Sequence, residues 1–192
     1  NYRLNLLLGI FGGIFFGAVI AAIKDRQNHV FSSPSEVKKD LKYTILGHLP
    51  HVEVFKELRQ EKQSVLDLLD EKKSTLEKGV DSYQKFFFQE AFRNLYTSIR
   101  FLDTSSDVKT LILTSSLPKE GKTLTNILLA RTLAEMGVKV LLIDSDLRKP
   151  QVHYRLGLNN LKGFSNLITN PDMQIKDVLI KIKNYQNWSV IT

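Results

Sequence analysis

The chain contains no cysteine in its 192 residues. Disulfides and thiolate metal sites are therefore excluded, and the composition suits a reducing compartment. Acidic residues are the minority charge, 20 against 27 Lys and Arg, which leaves a net +7. Such an excess favours anionic partners, such as phospholipid headgroups or phosphorylated ligands. The excess is spread along the chain, so no nucleic acid is expected as a partner. Charge is missing altogether from Leu4 to Ile23, where Asn5 is the one strongly polar residue. Elsewhere the proportions, 43% hydrophobic and 24% charged over the whole chain, are those of an ordinary folded protein. The length suits one core with appendages rather than two full domains.

Leu4 to Ile23 reads as a transmembrane helix, since 20 residues at about 1.5 Å each span the roughly 30 Å of a bilayer core. A signal peptide is the rival, but the run is long and no small-residue cleavage site follows it. Lys24, Arg26, Lys38, Lys39 and Lys42 follow the run and only Arg3 precedes it. The positive-inside rule therefore puts everything after residue 23 in the cytoplasm. Gly13 and Gly17 form a Gly-x-x-x-Gly pair that lets helices approach, although glycine is also simply common in membrane helices. Two features are those of a piece of a longer protein: the chain opens on Asn1, and it stops inside an apolar run at Thr192.

Residues 24–81 read as a juxtamembrane linker. Ser32-Ser33-Pro34-Ser35-Glu36 is a turn leading into a helix start, and Gly47 and Pro50 break the chain again. From His51 to Gly79 a charge-mixed helix is expected, with Leu58, Val65, Leu69 and Leu76 on one face. It is either solvated or docked on a membrane or a neighbouring subunit. In 82–102, Phe88, Phe92, Leu95, Ile99 and Leu102 recur at helical spacing and predict one buried stripe. Glu90, Arg93, Thr97 and Arg100 make a polar stripe, fit for surface pairing or for a neighbour's identical face.

Val108 to Thr192 alternates strand-like and helix-like runs, which predicts an α/β fold with a parallel sheet and helices on both faces. Expected strands are Val108–Thr114, Val138–Ile143 (buried on both faces) and one beginning at Trp188–Ile191. Expected helices are Thr123–Met136 with Gly137 as its C-cap, Asn166–Thr169 and Asp172–Lys183. Between the first strand and helix lies Ser115-Ser116-Leu117-Pro118-Lys119-Glu120-Gly121-Lys122-Thr123. Strand, tight loop and helix in this order hold nucleotide phosphates, with loop amides and the helix N-terminus, up to Leu124, facing the oxygens. Lys122 would reach the β- and γ-phosphates and the Thr123 hydroxyl would bind Mg²⁺.

A Gly-Lys-Thr tripeptide alone is weak evidence, and a full Walker pattern asks for Gly where Ser116 stands. The second half of the site adds specificity. Asp144 ends an apolar strand at the sheet edge where α/β folds bind ligands, and Asp146 and Arg148 follow. Asp144 and Asp146 can ligate Mg²⁺, or one can accept a proton from a hydroxyl nucleophile, while Arg148 neutralises phosphate charge. In the purely structural alternative Asp144 caps the strand, and Asp146 pairs with Arg148. A dinucleotide fold fails because no Gly-x-Gly-x-x-Gly precedes Asp144.

Taken together, these residues resemble the bacterial tyrosine kinases of capsule and exopolysaccharide export, of the Wzc type. Ser115 to Thr123 is similar to that family's phosphate loop, and Ile143 to Arg148 to its second, A-prime motif. Glu90 to Phe101 resembles its oligomerisation helix, Glu-x-x-Arg-x-x-Arg, and residues 1–50 its last transmembrane helix with a Gly-x-Leu-Pro exit at Gly47–Pro50. The resemblance implies a P-loop kinase domain over 82–192, ending before the Walker B aspartate and the C-terminal tyrosines. It implies an inner-membrane protein-tyrosine autokinase, using ATP and Mg²⁺, that phosphorylates neighbouring subunits in a ring. Asp146 is the first choice for the proton acceptor with Asp144 on the metal, the reverse assignment being the alternative, and the resemblance implies Glu90, Arg93, Tyr96 and Arg100 at the subunit contact. Polysaccharide export machinery and a cognate tyrosine phosphatase are the partners it implies. Lys119 replaces a loop glycine, and Tyr96 stands where the motif ends in arginine. The alternatives are a partitioning-type switch ATPase, which usually has lysine where Leu117 stands, and a structural co-polymerase without activity.

Overall fold

The computed structural model describes residues 2–27, 34–49, 65, 82–102, 108–118 and 120–192. The chain divides into two compact units, Asn1–Ile45 and Leu46–Thr192. In the first, α1 runs from Tyr2 to Gln27, 26 residues, and its apolar side chains are exposed all round, Phe11 at 70% and Phe16 at 68%. Tyr2–Arg26 is long and apolar enough to cross a membrane. Helix α2, Pro34–Leu41, carries Glu36 in its first turn and Lys38 and Lys39 in its last, each sign facing the opposite end of the helix dipole. It stops at Lys42, whose φ of 56° is left-handed. The expected serine cap at 32–33 lies outside the described residues.

The second unit begins with α3, Ser82–Leu102, and α4, Lys122–Glu135. Strand β1, Val140–Ile143, follows, then three short helices: α5 (Val152–Leu156), α6 (Phe164–Thr169) and α7 (Ile175–Val178). Strands β2 (Ile180–Lys181) and β3 (Trp188–Ile191) complete a sheet of order β1-β3-β2. Strand β1 pairs parallel with β3, Val140 opposite Trp188 through Ile143 opposite Ile191. Helix α4 contacts both α3 and the sheet. It buries four consecutive residues, Ile127 to Ala130, because neighbours enclose it on more than one side. Gly137, at φ 84°, ends it: its N–H reaches Ala134 O and the Val138 N–H reaches Leu133 O, as expected for a glycine C-cap. Trp188, Val190 and Phe92 complete the core, together with Val65, the one described residue of 51–79.

Four expectations are corrected. Residues 108–115 form no strand; Ile112 is 84% exposed and only Leu113 of the run packs against the core, so these β-branched residues lack the paired edge a strand requires. The helix expected over Asp172–Lys183 covers only Ile175–Val178. Ile180 and Lys181 instead pair antiparallel with Val190 and Ser189, so the sheet is mixed. Strand β1 is buried on one face: Leu142 is 9% exposed, but Leu141 and Ile143 stand at 48% and 41%. The α3 stripe holds at Phe92 and Ile99 and ends before Leu102, which is 54% exposed.

Candidate functional site

The phosphate-type loop closes on itself. Gly121, at φ 93°, is the N-cap of α4, and the Thr125 N–H donates to its carbonyl at 2.9 Å to start the helix. A Cβ at Gly121 would meet open space, so glycine is required there for its left-handed backbone alone. Lys122 folds back and its Nζ donates to Ser115 Oγ at 2.8 Å, and Ser115 Oγ donates to Leu117 O at 2.9 Å. The Leu117 N–H donates to Glu120 Oε2 at 3.1 Å. That bond, helped by the Lys122 charge, holds the Glu120 carboxyl below the usual range. The loop thus already seats one anion, its own Glu120, beside a lysine. A glycine cap offers the first amides of α4 no side chain, leaving them able to face a phosphate. Thr123 and Leu124 are half-buried in that first turn, and Ser116 and Pro118 are exposed. Lys119 lies outside the described residues.

The second cluster forms where β1 ends. The Asp144 N–H extends the ladder to Ile191 O at 2.9 Å. Its side chain, 7% exposed, turns inward and accepts from three backbone amides: Asp146 N on Oδ1 at 3.2 Å, and Gln151 N and Val152 N on Oδ2, both at 2.9 Å. Asp146 is exposed and its Oδ1 accepts from the Lys149 N–H at 3.0 Å, while Arg148 stands exposed on the same turn. Among the described residues no hydrogen bond or ion pair joins this cluster to the loop, and no three His, Asp or Glu side chains gather to hold a metal.

On α3, Arg93 lies 3.8 Å from Glu90, both nearly half exposed, an exposed pair that stabilises by only a few tenths of a kcal/mol. Tyr96 packs partly against the core, and the Arg100 guanidinium sits 6.0 Å from its ring centroid. The position that would present a third charge is therefore turned inward as an aromatic.

Sequence reasoning did not find the residues that fasten the sheet to α4. Arg131 Nε donates to Tyr185 OH at 2.9 Å and pairs with Glu135 at 2.8 Å. Asn187 Nδ2 donates to Ala134 O at 2.9 Å and to Val138 O at 2.8 Å. Apart from the i,i+4 pair Arg131–Glu135, these partners are 49 to 54 positions apart, and no local pattern marks them.

Known proteins resemble the chain over part of their own length. No family model matches. The chain is 35% identical to the tyrosine-protein kinase YwqD of Bacillus subtilis over 103 residues, 54% of this chain and 43% of YwqD. It is 24% identical to the tyrosine-protein kinase ptk of Acinetobacter johnsonii over 187 residues, 97% of this chain and 24% of ptk. The chain thus spans less than half the length of these two relatives. Its fold matches the kinase domain of the Escherichia coli tyrosine kinase ETK with a TM-score of 0.65 at 23% identity, covering 85% of this chain and 60% of that domain. By sequence the chain is similar to bacterial tyrosine-protein kinases over part of their length, and it shares the fold of the ETK kinase domain.

Proposed function

We propose that the protein is a membrane-anchored protein-tyrosine autokinase of the bacterial inner membrane. It transfers the ATP γ-phosphate to tyrosines of neighbouring subunits and thereby regulates polysaccharide polymerisation and export. The observation that carries this reading is the Ser115–Thr123 loop opening α4, with Gly121 left-handed and Lys122 held at its mouth. The relatives' names supply the acceptor class. Lys122 and the loop amides would hold the phosphates in line, since phosphoryl transfer is mostly positioning and charge neutralisation. The tyrosine oxygen attacks the γ-phosphorus, its proton passes to Asp146, Arg148 balances the charge, and ADP leaves. The Thr123 hydroxyl and the exposed Asp146 carboxylate are the hard oxygens Mg²⁺ takes, and a bound Mg²⁺ would neutralise phosphate charge there. Asp144, buried and engaged by three amides, fits that ion less well. Glu90, Arg93 and Arg100 offer a face to a neighbouring subunit in a ring, residues after 23 lie in the cytoplasm, and a tyrosine phosphatase would reverse the modification.

The test is incubation of the complete protein with γ-labelled ATP and Mg²⁺, beside Lys122→Met. Label on tyrosine should fall by at least about a hundredfold in the variant. Released phosphate without labelled protein would replace this reading with a switch ATPase. No turnover with an intact ring would replace it with a structural role.

A further inference from the structure

We propose that Asp144 is a positioning residue, whose carboxylate ties the turn after β1 to the start of α5 and so sets where Asp146, Arg148 and Lys149 stand. The turn leaves the sheet at Asp144, whose own N–H is fixed to Ile191 O on β3, and returns at Gln151. The one side chain closes both ends of that excursion. Oδ1 takes the Asp146 N–H on the way out, and Oδ2 takes the Gln151 and Val152 N–H groups on the way back. A smaller turn nests inside it, with Leu147 N on Ser145 O at 3.1 Å and Lys149 N on Asp146 Oδ1 at 3.0 Å. At 7% exposure, water cannot readily replace the carboxylate for the amides it holds. The donors also require a carboxylate. Three N–H groups approach from two sides, and an asparagine would turn its own NH₂ toward one of them. Asp144 and Asp146 thus divide the work within one motif: the buried carboxylate shapes the turn, and the exposed one is presented by it.

The tie rests on this geometry alone; that it serves phosphate binding rests on the nucleotide reading above. The experiment compares wild type, Asp144→Asn, Asp144→Ser and Asp146→Asn in the complete protein. Amide exchange is measured without nucleotide or metal, and mant-ADP affinity with EDTA and with Mg²⁺. Amides of α4 report whether each variant is folded. Both Asp144 variants should exchange the Gln151 and Val152 amides faster, by about tenfold or more. They should weaken mant-ADP by similar factors in EDTA and in Mg²⁺, leaving the benefit of Mg²⁺ intact, whereas Asp146→Asn should lose that benefit. Unchanged exchange with a collapsed Mg²⁺ benefit in Asp144→Asn would make Asp144 a metal ligand and overturn the proposal. Faster exchange with unaltered affinity in both buffers would reduce it to a fold contact and overturn the positioning role. If wild type binds no mant-ADP, the nucleotide reading fails, and the exchange comparison still decides whether the tie exists.

Discussion

Replacing Asn187 by alanine removes two hydrogen bonds at once and nothing else of size. The residue stands immediately before β3, and its Nδ2 spans the end of α4 and the entry to β1, reaching Ala134 O at 2.9 Å and Val138 O at 2.8 Å. Both partners are carbonyls, which settles the amide's orientation. Each bond contributes about 1 kcal/mol net, and a partner left dry adds to the cost. Ala134 O keeps a second donor, the Gly137 N–H at 3.0 Å, so Val138 O is the group left in need. The loss should come to about 2 kcal/mol, which at this size is a fall in Tm of roughly 4–8 °C. Asn187→Asp should cost more, because it sets an oxygen against two carbonyl oxygens. Urea unfolding followed at Trp188, which is fully buried, reads the effect. An alanine variant within about 0.5 kcal/mol of wild type would refute the reasoning, as would an aspartate variant no worse than alanine.

Other expectations follow from the same unit. Gly163 lies against the end of β3, and a Cβ there would collide with the Thr192 carbonyl, which also accepts the Phe164 N–H at 2.6 Å. Gly163→Ala should therefore destabilise by about 1–3 kcal/mol in thermal melts, the range for forcing extra volume into a packed site; an unchanged Tm would show that the contact yields freely. Burial pushes the Tyr185 hydroxyl above its ordinary value of 10.0, with Glu135 adding to the rise and Arg131 opposing it. A raised folded pKa means that the stabilisation is complete below about pH 10 and is lost as pH rises through the folded value. Tyr185→Phe should lose stability at neutral pH and show a shallower decline above pH 10, and parallel alkaline profiles would contradict this.

Much of the site was legible because its signals are local. Gly137 follows an apolar helical run and caps it, Asp144 follows four apolar residues and ends their strand, and Gly121-Lys122-Thr123 opens a helix. What escaped is set by distant partners. Val108–Thr114 has strand chemistry, yet strands are made by neighbours, and none of the described residues pairs with it. Residues 172–183 carry apolar residues at helical spacing, but Ile180 opposite Val190 decides for an antiparallel hairpin. Asp144 reads from sequence as a metal ligand, with strand capping as the alternative, and no local pattern announces that Gln151 and Val152 return their amides to its carboxylate.

Helix α4 begins with the lysine of the phosphate-type loop and continues, within two turns, into Ile127 and Leu128, at the centre of the core. On the proposed nucleotide reading, gripping a ligand and keeping the fold shut are tasks of one rod. A nucleotide present at a hundred times its dissociation constant would add about 2.7 kcal/mol to the free energy of unfolding. A fall in nucleotide supply would then reach the protein as lost resistance to unfolding, and so to the proteases that patrol unfolded chains.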